Sequence, residues 1–314
     1  MANENTWTKF NGTFFLNNPI EKELVFSTGK ELLPYEKVEQ DQEFIPNIYV
    51  YRNLSIGSGK GEAKRIKGPV FLMYQTAAYV HFLLDGVGVY YGIKKHIPGL
   101  QPYFLNPHNY RDNSISFDKD WLYLDGHQNP NSKILDLRKN KYIFDEVYDF
   151  DFSGRKKTVS TMYVFPFMAI RENLLNKISI NENSAKKIYI SRIDSGNRSV
   201  KDIAGFEMYL ADKGFSLIRL SHMNLEAQME IFFNAKDIVC FSGSGLTNTV
   251  FCSSEANIIE INRSPDTYTY NTWAKNCKSI GINYIGISFL GDKESALSDV
   301  DQIKDSVKYI QELI

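Results

Sequence analysis

Two arginines and a glycine-rich turn are the first groups in this chain whose types and spacing could do chemistry. Ser191-Arg192-Ile193-Asp194-Ser195-Gly196-Asn197-Arg198 follows the β-type run KIYIS and leads into a helical pattern, placing two guanidinium groups six residues apart. A forked guanidinium matches the paired oxygens of a phosphate. A single surface arginine pairs as readily with a neighbouring carboxylate, but two on one turn favour an anion. Ser242-Gly243-Ser244-Gly245-Leu246-Thr247-Asn248 follows the run DIVCF. Its glycines let the backbone approach a ligand closely, and a helix opening near Leu246 would aim unpaired N–H groups at it. The turn reads as a diphosphate cradle, though Gly-x-Gly also marks ordinary tight turns; it is no P-loop, because no Gly-Lys-Ser/Thr follows. Glu260, in NIIEIN, is a carboxylate near the end of a strand that either accepts ribose hydroxyls or pairs with Arg263.

These turns need a scaffold, and the carboxy-terminal half supplies one. From about residue 186, KIYIS, SLIRL, DIVCF, NIIEIN and INYIGIS alternate with helical stretches. These include VKDIAGFEMYLADKGF, LEAQMEIFFNAK, Tyr268 to Lys278 and a closing SALSDVDQIKDSVKYIQEL. Short strands apolar on both faces and separated by helices predict a parallel, Rossmann-like sheet. The amino-terminal half is less regular. FNGTFFL, KELVFS and NIYVYRNL suggest a β-rich leader with antiparallel pairing. KGPVFLMY, the apolar helix Ala77 to Lys95 and strands near QPYFL, WLYL and STMYVFPF then read again as strand, helix, strand. The polar segment Asn181 to Ala185 places the boundary near residues 170–185, giving an amino-terminal α/β domain over 1–180 and a nucleotide-binding domain over 181–314. Two α/β halves with a crevice predict a ligand beyond the carboxyl ends of the strands.

Composition bounds the function classes. The 314 residues carry 36 basic and 37 acidic side chains, so no global field draws the protein onto nucleic acid or an anionic membrane. Cys240, Cys252 and Cys277 are odd in number and widely spaced, which argues against a disulfide framework or a thiolate zinc site. MANENTWTKF lacks a signal-peptide pattern and no apolar run is long enough to span a bilayer, so the expectation is a cytoplasmic protein.

Taken in order, these residues resemble glycosyltransferase family 61 from Ile188 to Tyr284. The resemblance rests on Ser191-Arg192, Arg198, Gly214-Phe215, Gln228 before Phe232, Ala235, Gly243 through Asn248, Phe251, Glu260, and Gly281 before Tyr284. Upstream, His81-Phe82-Leu83-Leu84-Asp85 is similar to the family's His-x-x-x-Asp element, extending the resemblance to roughly residues 70–290. It implies a two-domain GT-B fold, no obligatory metal or other cofactor, and inverting transfer from a nucleotide sugar, by family habit a UDP-sugar, to a hydroxyl acceptor such as a glycan. Family members include enzymes of polysaccharide synthesis. Asp85 is then the base, with His81 four residues away on the same helix face to orient it. Arg192, Arg198, and the turn from Ser242 to Asn248 hold the diphosphate, and Glu260 the ribose. Four positions depart from the family pattern: Ser242 replaces a histidine, Asp202-Ile203 an Asn-Glu pair, and Ala78 an asparagine.

Two rival readings follow from other residues. Asp149-Phe150-Asp151, Asp118-Lys119-Asp120 and Asp299-Val300-Asp301 match the Asp-x-Asp that holds a divalent cation in GT-A transferases. Such pairs also arise by chance in an Asp-rich chain. The loss of the histidine at Ser242 opens the other reading, a sugar- or nucleotide-binding protein without turnover. The basic runs Lys60 to Lys67 and Arg155-Lys156-Lys157 lack interleaved aromatics and read as solvated loops.

Overall fold

The computed structural model describes residues 29–32, 48–57, 62–74, 79–106, 117–137, 139–150, 164–193, 203–262 and 267–288. The chain divides into two α/β units, Met1–Ile170 and Arg171–Ile314. The expected strands FNGTFFL and KELVFS, the closing helix from residue 295, and Arg198, Arg263, Asp151, Asp299 and Asp301 lie outside the described residues.

The carboxy-terminal unit is built on β7 (Lys187–Ile190), β8 (Ser216–Ile218), β9 (Asp237–Phe241), β10 (Asn257–Asn262) and β11 (Asn283–Ser288). They form one parallel sheet in the order β11-β10-β9-β7-β8. The chain first moves from β7 outward to β8, then returns to the other side of β7 with β9. This is the flavodoxin-like doubly wound order, whose switch point lies between the first and third strands. Alternation gives the sheet two buried faces. Tyr189, Val239, Phe241, Ile259 and Ile261 pack with Phe206, Leu210 and Phe215 in one core cluster. Ile188, Ile190, Ile238, Cys240 and Ile258, also buried, alternate with them on the opposite face. The connecting helices are Ile203–Asp212, Leu225–Asn234 and Thr267–Ser279. The second starts where Asn224 accepts the Ala227 N–H at 2.9 Å, an N-cap contributing about 1 kcal/mol.

The amino-terminal unit carries a six-stranded sheet in the order β1-β2-β6-β3-β4-β5. Its strands are β1 (Gly29–Leu32), β2 (Ile48–Ile56), β3 (Lys64–Tyr74), β4 (Gln101–Asn106), β5 (Ile134–Asp136) and β6 (Tyr142–Phe150). From β6 to β5 the neighbours are parallel, whereas β1 with β2 and β2 with β6 are antiparallel. This unit is therefore a mixed sheet and only its parallel portion fits the Rossmann-like expectation. The crossover from β3 to β4 is a helix of two textures, π-helical over His81–Gly88 and α-helical over Val89–Lys94.

Two expected strands are helices. WLYL lies in the helix Phe117–Leu124, and the end of STMYVFPF opens the helix Val164–Leu174. In the first, Asp118 and Asp120 occupy the opening turn, where the helix dipole favours acidic groups. In the second, Pro166 occupies the first turn, where its missing N–H costs no hydrogen bond. Asp125, beyond the first of these helices, accepts from the Tyr91 hydroxyl at 3.0 Å and from Lys94 Nζ at 3.2 Å. The Tyr91 hydroxyl accepts in turn from Trp121 Nε1 at 3.0 Å, tying that helix to the end of the β3–β4 crossover.

Candidate active site

The switch point of the parallel sheet lies between the carboxyl ends of β7 and β9, where the two singled-out turns begin. Arg192 follows β7, and its Nη1 donates to the Ser242 carbonyl at 2.6 Å, directly after β9. The guanidinium lies against the α-carbon of Gly243, so a β-carbon placed there would stand 2.7 Å from Nη1. A side chain at 243 would therefore displace the guanidinium from this position; the φ of 169° is extended and itself demands no glycine. A charged donor and a side-chain-free backbone edge are therefore held together by residues 50 apart in sequence.

The helix after this turn starts earlier and is tighter than expected. It is a 3-10 helix over Ser244–Phe251, with its first bond from Leu246 N to Gly243 O at 3.1 Å. Leu246, Thr247 and Asn248 are buried. The Asn248 Nδ2 donates to Gln228 Oε1 at 2.9 Å, and Gln228 Nε2 donates to the Leu220 and Met223 carbonyls. What this turn can offer a ligand is its leading edge, Ser242 through Gly245, with Ser244 exposed and Gly243 and Gly245 half-buried.

Glu260 is fully buried, opposite Cys240 in the sheet register. Its Oε2 accepts from the Tyr284 hydroxyl, while Oε1 has no well-directed hydrogen bond among the described residues. Burial raises its pKa above the usual carboxylate value; Ser242 and Tyr284 oppose that shift by favouring the charged form. Burial also raises the thiols around it, Cys277 to about 12 and Cys240 and Cys252 well above the ordinary value. All three are free thiols held neutral in the interior.

In the amino-terminal unit, His81 Nδ1 faces Asp85 Oδ2 at 2.7 Å. A carboxylate can only accept, so Nδ1 carries the proton. Asp85 is 8% exposed and His81 belongs to the surface. The winding is π-helical over His81–Gly88, a form frequent at functional sites, and residues four apart share a face of it. Gly88 makes this helix fit. A β-carbon there would lie 2.6 Å from Pro166 Cβ and 2.7 Å from its carbonyl oxygen.

Glu207 is a buried carboxylate that the sequence reading passed over. It shares a helix face with Phe206 and Leu210 and is 7% exposed. A carboxylate on the apolar stripe was the available signal. Among the described residues there is no cluster of three or more His, Cys, Asp or Glu side chains fit for a metal, and no helix long and apolar enough to cross a membrane.

The molecule is thus a two-unit α/β protein. Its sequence matches the family model for Glycosyltransferase 61 over residues 79–259. The chain belongs to glycosyltransferase family 61 and is a glycosyltransferase, which binds a sugar donor and an acceptor. The match includes His81, Asp85, Arg192, Arg198 and the turn from Ser242 to Asn248, and stops one residue before Glu260. A comparison with curated proteins finds no significant match.

Proposed function

We propose that the protein is an inverting, metal-independent glycosyltransferase of GT-B architecture, moving a hexosyl or pentosyl group from a nucleoside-diphosphate sugar, a UDP-sugar by family habit, to a hydroxyl of a glycan or similar acceptor. The observation that carries the reading is the Arg192 guanidinium packed on Gly243 at the switch point of a parallel sheet, the place where doubly wound folds bind phosphorylated ligands. Arg192 and Arg198, with the edge from Ser242 to Gly245, stabilise the negative charge that builds on the departing diphosphate. Charge-assisted hydrogen bonds of this kind contribute about 1.5–3 kcal/mol each.

Asp85 takes the proton of the acceptor hydroxyl as the acceptor oxygen bonds to the anomeric carbon and the bond from that carbon to the diphosphate oxygen breaks. One displacement inverts the centre. His81, bonded to Asp85 Oδ2, fixes the carboxylate's orientation. The buried side chains of Leu246, Thr247, Asn248 and Glu260 support the turn from beneath.

The test is transfer or donor hydrolysis with a panel of nucleotide sugars in excess EDTA. Activity persists if cationic side chains and backbone neutralise the diphosphate; complete loss that manganese restores would overturn the metal-independent reading. Nucleotide-sugar binding with no turnover under any condition would overturn the catalytic one.

A further inference from the structure

Arg192 is held on both sides by one chain of hydrogen bonds, buried where Ser191 meets Glu207. Glu207 Oε1 accepts from the Ser191 hydroxyl at 2.5 Å, and Ser191 Oγ accepts from the Ile193 N–H at 3.3 Å. A hydroxyl has a single hydrogen, so donating it to the carboxylate commits its lone pairs to Ile193 and fixes the direction of the whole chain. Ser191 and Glu207 are each 7% exposed. The Ser191 backbone N–H is also tied, donating to the Ile218 carbonyl of β8 at 2.8 Å. Residues 191 and 193 are thus both pinned, and the residue flanked by them is the arginine whose Nη1 meets the Ser242 carbonyl.

A buried carboxylate is a costly way to fill a helix–sheet interface that an apolar side chain would fill without desolvating a charge. We infer that Glu207 is a positioning residue for the donor diphosphate: through Ser191 it sets the turn that carries Arg192, so that the guanidinium and the Ser242–Gly245 edge are aligned before the ligand arrives. Order supplied in advance is not lost on binding. This inference rests on the donor-site reading above.

The experiment titrates UDP, GDP and ADP, and the matching nucleosides, into the full chain by calorimetry, with melting temperature and circular dichroism recorded for each variant. Glu207→Ala and Ser191→Ala should each weaken the tightest-binding diphosphate by about 10-fold, within the coupling expected of one hydrogen-bonded network, and leave nucleoside affinity unchanged. Glu207→Gln, whose amide oxygen can still accept from Ser191, should recover most of the loss. In an Arg192→Ala background, Glu207→Ala should cost no further diphosphate affinity, a result that a merely structural role would not produce. If Glu207→Ala does not fold, Ser191→Ala, alone and combined with Arg192→Ala, carries the same test. Wild-type diphosphate affinity in folded Glu207→Ala or Ser191→Ala, equal loss for nucleoside and diphosphate, or a loss that persists without Arg192 would overturn the inference alone. If Arg192→Ala itself leaves diphosphate affinity intact, or no diphosphate binds the wild-type protein, the donor-site reading falls and this inference with it.

Discussion

Asp85 and Glu260 are both buried carboxylates, yet their surroundings prepare them for different work. Asp85 keeps a small exposed fraction and a histidine partner on its own helix. The base proposed for transfer acts mainly in the transition state, so Asp85→Asn, nearly isosteric and far less basic, should lower turnover roughly 10²–10⁴-fold while nucleotide affinity and melting temperature hold. Near-normal turnover in a folded variant would make His81 the next candidate. Glu260 has no such outlet. Its folded-state pKa is raised, so its contribution to stability is full below the ordinary carboxylate value and is lost as pH rises through the raised one. Glu260→Gln, neutral throughout and still able to accept from Tyr284, should therefore melt increasingly above the wild type in the window that opens above the ordinary carboxylate value. A pH-independent difference would show that the carboxyl does not titrate in that window.

At the scale of elements, the β3–β4 crossover gives a test in which two effects oppose. Replacing a mid-helix glycine with alanine ordinarily stabilises by about 1 kcal/mol. At Gly88 the added methyl would meet Pro166 backbone, which cannot swing aside, and overpacking typically costs about 1–3 kcal/mol. Gly88→Ala should thus lower the melting temperature, whereas Gly86→Ala, whose nearest neighbour is the flexible Met73 thioether at 3.4 Å, should not.

The same elements show what a sequence can reveal. KIYIS, DIVCF and NIIEIN are legible because strands buried on both faces are short apolar runs rich in β-branched residues. WLYL is equally apolar over four residues but too short to display a period. Trp121 and Leu122 are buried and Tyr123 is 62% exposed, which only a longer helical window would separate. The strand β6 hid behind Asp145 and Glu146, carboxylates that pair with Arg65 and Arg52 on the solvated side. The site divides in the same way. Arg192 and the glycine turn could be singled out by residue type. The burial of Thr247, Asn248 and Glu260 could not, since it depends on which neighbours the sheet brings to them.

For the molecule as a whole, the switch point has a consequence in time. β7 can pair with β8 as soon as the helix between them forms, but its other neighbour, β9, arrives later in the chain, with Ile190 set opposite Cys240. Longer loops close at greater entropic cost, and pairings distant in sequence form slowly. The edge where Arg192 meets Ser242 does not exist until β9 docks. During refolding from denaturant, helical circular dichroism should therefore recover first, and the capacity to bind a nucleoside diphosphate in the slowest phase. A newly synthesised chain would carry much of its secondary structure while still unable to hold a donor, and its competence would report that β9 had found its place beside β7.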